Sequence, residues 1–202
     1  MVTTAREDLL AAGLAVFDRD GFEGATVAAI RTLARASNGS FFHFFGSKKA
    51  LAGTLFLDIL QRYHAAMLAV LDRSCGARDG VGRLIRAHLD WVVTNRREAR
   101  FLFEISRSES SDELRDAQRT ENVRLADGIE NWRSPLLASG ELLPMSPTIF
   151  ISQIIGPAQI FCRAYLSGRD RADPREQADM LIACAIRAVA APGAAERSGD
   201  TP

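Results

Sequence analysis

The sequence predicts an all-α protein, with a small three-helix head at its N-terminus and a larger helical body behind it. Three observations predict this. Apolar residues recur at three- and four-residue spacing, as in Leu9, Leu10, Leu14 and Phe17, or Leu84, Ile85, His88, Leu89 and Val92. No alternating run is long enough to make a convincing strand. The stripes are separated at residues that cap or break helices, among them Thr26, Ser37, Ser47 and Pro174. With 202 residues, 47% hydrophobic and 25% charged, the chain can bury a real core. It has no run of eighteen apolar residues and no basic-then-apolar leader, so neither a membrane span nor a signal peptide is expected and the cytoplasm is the expected location.

Residues 4 to 20 read as an amphipathic helix, with Thr3 or Thr4 as cap and Gly21 as stop. Val27, Ile30 and Ala34 share one face of a second, short helix that Thr26 caps. Arg35 to Ser37 form a tight turn, and a third helix runs from about Ser37 through Phe45. Phe41 and Phe45, four residues apart, both point inward, which leaves Asn38, Ser40, Phe42 and His43 on the outer side. Small polar groups, an aromatic ring and an imidazole suit a helix pressed into a groove better than one facing water.

Charge agrees. Acidic and basic residues balance over the whole chain at 25 each, yet no Asp or Glu occurs between Gly24 and Leu57, a stretch that carries Arg31, Arg35, Lys48 and Lys49. A phosphate backbone demands that local bias. Lys48 and Lys49 are the only lysines in the protein.

The stretch resembles the helix-turn-helix of TetR-type (tetracycline-repressor-like) bacterial transcriptional regulators. The resemblance rests on the Gly21-Phe22 step, Thr26, Val27, Ile30, the Ser37 to Ser40 turn and helix start, Phe41 to Phe45, and Ser47-Lys48-Lys49-Ala50-Leu51. It covers about the first quarter of the chain, and the remainder matches in length and helical layout. Three positions depart from the family pattern. Arg35 stands where a turn glycine is usual, so the turn must avoid positive φ or carry strain there. Phe42 replaces a tyrosine, removing one phosphate-contacting hydroxyl, and Gly46 replaces a proline, loosening the junction to the next helix.

Beyond the head, a long helix is expected from its cap Ser47 to about Ser74, the one mechanical link between head and body. Gly76 to Gly82 reads as a loop. Helical stripes follow at Leu84 to Val92, Glu98 to Arg107, and Asp112 to Ser139, the last kinked or restarted at Pro135. The polar run Ser106 to Glu113 reads as a turn in which Ser111 or Asp112 caps the next helix. Thr148 to Leu166 is apolar on nearly all sides, with a bend expected at Pro157, and Pro174 opens a final helix through Val189. Three domains are therefore expected: a DNA-binding head at 1–46, an effector-binding and dimerisation body at 47–192, and a disordered tail at 193–202.

Chemistry points away from catalysis. The chain has no GxSxG, no phosphate-binding glycine loop and no HExxH, and its imidazoles are His43, His64 and His88 alone. Cys75, Cys162 and Cys184 are too scattered for a zinc site or a disulfide framework, so no metal and no cofactor are expected. The expected function is a DNA-binding transcriptional regulator, a repressor released by a small, largely apolar effector. The alternatives are a helical small-molecule-binding protein or enzyme with an incidental helix-turn-helix, and a regulator controlled by a protein partner.

Asn38 and His43 are expected to reach base edges. Thr26, Ser37, Ser40, Lys48 and Lys49 would position the backbone, and Phe42 would meet sugar or a thymine methyl. An effector pocket would be walled by Met67, Trp91, Phe101, Phe103, Phe150 and Phe161, with His64, His88 and Gln153 as polar anchors. Useful specificity needs two recognition helices on a palindromic operator of double-stranded DNA, hence a homodimer. The apolar segment Thr148 to Leu166 with Ala178 to Val189 would form a four-helix interface, as the resemblance also implies, and Gly156, Ala158 and Ala185 are small enough for close helix approach.

Overall fold

The computed structural model of the protein describes residues 4–105 and 112–192. The expected turn at Ser106 to Ser111, with its cap Ser111, the alternative cap Thr3 and the tail 193–202 lie outside the described residues. Within them there are ten α-helices and one short 3-10 turn, and the only extended pairing is an isolated bridge between Leu142 and Ala190. The class is all-α. Among the described residues no single helix is long and apolar enough to cross a membrane.

The chain packs as two compact units. The first takes the chain up to Arg62 together with Asn95–Arg119, and the second takes Tyr63–Thr94 and everything from Thr120 onward.

In the first unit, helix α1 (Ala5–Gly24) opens with a capping box: Thr4 Oγ1 accepts from the Glu7 amide at 3.3 Å and the Glu7 carboxylate accepts from the Thr4 amide at 2.8 Å. Its regular course breaks at Gly21, whose φ of 70° and ψ of 170° are open only to glycine at low cost. Leu9, Val16 and Phe17 are buried, and α1 packs on α2 (Val27–Ala34), α3 (Asn38–Phe44) and α6 (Arg96–Ile105). Phe17 stands between Phe22 and Phe101, with ring centroids 5.6 and 5.4 Å away. Asp18 holds α6 from outside the core, meeting Arg100 at 2.8 Å and Arg97 at 3.4 Å. Helix α4 (Lys48–Ala69) starts on its expected cap, the Ser47 hydroxyl accepting from the Ala50 amide at 3.0 Å.

In the second unit, α5 (Ala77–Thr94) is the central element, burying Val81, Leu84, Ile85, Leu89 and Val92 and packing on α8 (Pro147–Ile154), α9 (Gly156–Leu166) and α10 (Ala178–Val189). Between α6 and α8 in the chain runs α7 (Asp112–Ala138).

Three expectations are corrected here. Gly76 to Gly82 is not a loop: α5 starts at Ala77, its first amide held by the Glu141 carboxylate at 3.1 Å. Gly80 sits inside the helix because a β-carbon there would lie 2.1 Å from Cζ2 of Trp132. Glycine in this stretch serves close packing. Helix α4 ends at Ala69, not near Ser74, since the Asp72 carboxylate takes the Ser74 amide at 3.0 Å in a local turn that competes with the helix. Helix α7 does not restart at Pro135 but runs through it to Ala138, a proline so near the end that little helix remains to be disrupted. The expected bend in the apolar segment is present, α8 and α9 meeting at 43° across Ile155, just before Pro157.

Candidate nucleic-acid interface

Helices α2 and α3 form the helix-turn-helix, and both start on hydroxyl caps: Thr26 Oγ1 accepts from the Ala29 amide at 3.1 Å and Ser37 Oγ from the Ser40 amide at 3.0 Å. Each capping hydroxyl keeps its own O–H to donate to a phosphate. Between the helices Arg35 adopts φ 52°, ψ 34°, the only positive φ at a non-glycine residue among those described. The turn therefore takes the strained alternative. Its main-chain bonds, Arg35 N to Thr32 O at 3.2 Å and Ala36 N to Arg31 O at 2.9 Å, satisfy the last carbonyls of α2 as a Schellman turn does.

Helix α3 divides into the two expected faces. Phe41 and Phe45 are buried, while Asn38, Phe42, His43 and Phe44 are exposed and Ser40 is partly so. Phe42 rests edge-on against Phe41 with centroids 5.3 Å apart, and His43 edge-on against Phe44 at 5.0 Å, so neighbouring rings hold both outer side chains. The Asn38 amide is held by Arg31, whose Nη1 donates to Oδ1 at 2.9 Å. The sequence marks Arg31 only as one of four basic charges. Its contact with Asn38 depends on the turn between them.

Lys48 has a different task from the one expected. Its ammonium donates to the carbonyls of Phe22 at 2.6 Å, Ala25 at 2.8 Å and Glu23 at 3.3 Å, and stands 4.7 Å from the centre of the Phe22 ring. An ammonium has three N–H donors, so none is left over for a phosphate. Lys48 ties the start of α4 to the carbonyl end of α1, and of the lysine pair Lys49 is the one exposed.

In the second unit, His64, Met67, His88, Trp91 and Phe150 of the candidate pocket are all buried. Tyr63 joins them, its hydroxyl 2.9 Å from His88 Nδ1 and its ring 4.9 Å from Trp91. His88 Nε2 and His64 Nδ1 are buried with no hydrogen-bond partner. Burial pushes the His88 imidazole down to about 4 and lowers that of His64, where a hydrogen bond with the Glu121 main chain opposes the shift. Burial, and secondarily the nearby Cys162, raises the Tyr63 phenol, and burial moves Cys162 up to about 12.

Three other pocket candidates, Gln153, Phe101 and Phe103, lie elsewhere. Gln153 is exposed, because the inward stripe of α8 is Phe150 and Ile154. Phe101 belongs to the first unit, where it stacks on Phe17, and Phe103, half-buried on the same helix, also falls there. Phe161 is half-buried. An open groove of about 650 Å³ runs along Ala69–Arg73, Arg83, Arg86 and Asp90, with a charged lining quite unlike the aromatic one expected. Among the described residues no group of three His, Cys, Asp or Glu side chains is placed to hold a metal.

Of the small residues expected at a dimer interface, Gly156 is partly exposed, but Ala158 and Ala185 are buried within their own unit, where α9 and α10 pack on α5. The exposed large apolar side chains of α8, α9 and α10 are Ile149, Ile160 and Met180, with 53, 69 and 64% of their surface open.

An all-helical chain whose N-terminal unit presents a helix-turn-helix with a polar and aromatic outer face defines a DNA-binding helix-turn-helix protein. Residues 9–55 match the family described as bacterial regulatory proteins, tetR family. A stretch of 61 residues is 33% identical to the HTH-type transcriptional repressor NicS of Pseudomonas putida, spanning 30% of this chain and 27% of that one. Over nearly the whole chain the fold matches a putative tetR family transcription regulator from Shewanella sp. PV-4, with a TM-score of 0.75 at 25% identity, covering 93% of this chain and 99% of the other. The transcriptional regulator FadR of Bacillus subtilis, solved in complex with stearoyl-CoA, matches in fold with a TM-score of 0.75 at 15% identity, covering 89% and 97%. The head thus carries the sequence pattern of tetR-family regulatory proteins, and the chain shares the fold of solved members of that family.

Proposed function

We propose that this protein is a DNA-binding transcriptional regulator, acting as a homodimeric cytoplasmic repressor that a small, largely apolar effector releases from a palindromic operator. The observation that carries the reading is the outer face of α3. It exposes Asn38, Phe42 and His43 in a stretch free of acidic side chains from Gly24 to Leu57, beside hydroxyl caps at Thr26 and Ser37 and the free lysine Lys49. Asn38 and His43 would read bases, while the hydroxyls and Lys49 would meet phosphates.

A dimer follows from the need for two recognition helices about one helical turn of DNA, ~34 Å, or a multiple of it apart. It is supported by Ile149, Ile160 and Met180, three large apolar side chains left open on the helices expected to pair. The effector reading is supported by the buried, unpartnered nitrogens of His64 and His88, both against the Tyr63 ring that also meets Trp91, where a bound molecule with a polar group would satisfy them. Ligand and DNA would then oppose each other by the same factor in both directions.

The test is binding to DNA recovered with the purified protein, measured by fluorescence anisotropy across a salt series. Affinity should fall steeply with salt as phosphate counterions are released. Salt-independent binding, or none, would refute a DNA-binding role. Sedimentation at micromolar concentration should show a dimer, and Ile160→Glu should shift it toward monomer; a wild-type protein that stays monomeric would remove the dimer.

A further inference from the structure

We propose that Arg31 sets the base preference of Asn38 by locking the orientation of its side-chain amide, so that α3 offers hydrogen-bond donors to an acceptor-only base edge, that of guanine or thymine. The inference rests on the reading of α3 as the element that enters the groove.

An asparagine amide is nearly symmetric in shape, and an unconstrained one can turn either its oxygen or its nitrogen to a base. Here it is constrained. Arg31 Nη1 donates to Asn38 Oδ1 at 2.9 Å. A guanidinium carries donors only, so the end of the amide that faces it must be the oxygen, and the reversed amide would set N–H against N–H. Arg31 is well placed to impose this. It is half-buried in the last turn of α2, and the Schellman turn through Arg35 brings Ala36 N to 2.9 Å from Arg31 O, returning the start of α3 to its side. Asn38 is the first residue of α3 and is exposed, which leaves its Nδ2 to project beyond the pair.

The bases present different demands in the major groove. Adenine is read by asparagine with both ends of the amide, the oxygen accepting from N6 and the nitrogen donating to N7. Guanine shows acceptors only, at N7 and O6, and thymine shows O4. Oδ1 of Asn38 keeps a second lone pair, but an adenine amino group reaching for it would come up beside the positive charge and the remaining N–H groups of Arg31. The same charge favours an acceptor-rich edge. Donation from Nδ2 to guanine or thymine loses nothing by the Arg31 contact, whereas the two-bond reading of adenine does.

The experiment is selection from randomised operator DNA at one salt concentration, using the full chain as wild type, Arg31→Met, Arg31→Gln and Asn38→Ala. Thermal unfolding confirms that each is folded. Glutamine can turn either end to Asn38, so it removes the fixed polarity even if methionine proves too disruptive. The wild-type motif should contain a position, the one flattened by Asn38→Ala, where guanine or thymine dominates. Arg31→Met or Arg31→Gln should move that position toward adenine, with relative binding changing by about five- to a hundredfold, the range spanned by one good two-bond base contact. If the Arg31 variants bind more weakly but keep the wild-type preference there, or if the wild type itself selects adenine, the proposal is overturned. If Asn38→Ala changes no position at all, Asn38 does not read bases and the underlying assignment fails instead.

Discussion

Replacing Arg35 with glycine should stabilise the protein, although it deletes a long side chain. Arg35 sits at φ 52°, ψ 34°, where the β-carbon of an L-residue crowds the following carbonyl oxygen. That costs about 1–2 kcal/mol. Glycine escapes it but gives up more freedom on folding, about 0.5–1 kcal/mol relative to alanine. The hydrogen bonds that define the turn, Arg35 N to Thr32 O and Ala36 N to Arg31 O, are main-chain and survive the change. The Arg35 side chain is exposed, so its packing contributes little. The difference leaves a gain of about 0.5–1 kcal/mol, which in a chain of this size corresponds to roughly 1–4 °C in melting temperature. Arg35→Ala is the control, since it removes the same guanidinium and keeps the β-carbon. Melting followed by circular dichroism without DNA should place Arg35→Gly above Arg35→Ala, with the wild type near the latter. Equal melting temperatures for the two variants would show that the left-handed turn carries no strain at Arg35.

Gly80→Ala should destabilise by about 2–4 kcal/mol, because the new methyl must displace the Trp132 indole, whose N–H donates to the Cys75 carbonyl at 3.0 Å. Gly128→Ala meets only the Leu68 side chain, chiefly its terminal methyls, which can rotate away, and should cost clearly less in the same melts. Lys48→Met should lower stability by about 1–3 kcal/mol, since it abandons three carbonyls, and should leave the salt dependence of DNA binding intact; Lys49→Ala should flatten that slope by about one unit. A Lys48→Met slope as flat as that of Lys49→Ala would return Lys48 to the interface. His88, held down at about 4 by burial, stays neutral in the folded chain at pH values where the unfolded chain, near 6.5, already takes up a proton. Its stabilising contribution is therefore complete above about pH 6.5 and is lost as pH falls toward 4, with a slope of about 1.4 kcal/mol per pH unit for one proton. Denaturant titrations across that range should show a shallower slope in His88→Gln, and an unchanged slope would mean that another group dominates.

Much of the head was legible because its rules are local. Thr4, Thr26, Ser37 and Ser47 each cap the helix that follows, through hydrogen bonds spanning three residues, and a bond that short depends on neighbours in the sequence alone. The split of α3 into a buried Phe41–Phe45 face and an exposed Asn38–His43 face follows in the same way from the helical period. Arg35 shows the limit of such rules, since sequence posed the choice between a different turn and a strained one, and the packing of α2 and α3 on α1 made it.

What only the tertiary structure decided involves partners far apart in the chain. Gly76 to Gly82 has loop composition, but Trp132 arrives from α7 and Glu141 from just beyond it, one demanding a glycine at position 80 and the other capping α5 at Ala77. Lys48 looks like a phosphate ligand by its charge and neighbours, yet the carbonyls of Phe22, Glu23 and Ala25 lie within reach of its ammonium once α1 and α4 have packed. Ala158 and Ala185 look like residues for a partner helix, yet both are already buried by their own chain. In each case residue type determined what the side chain is able to do, whether to approach closely, donate or fill a gap. The folded backbone determined which group receives it, because a contact across many residues depends on where the intervening helices go.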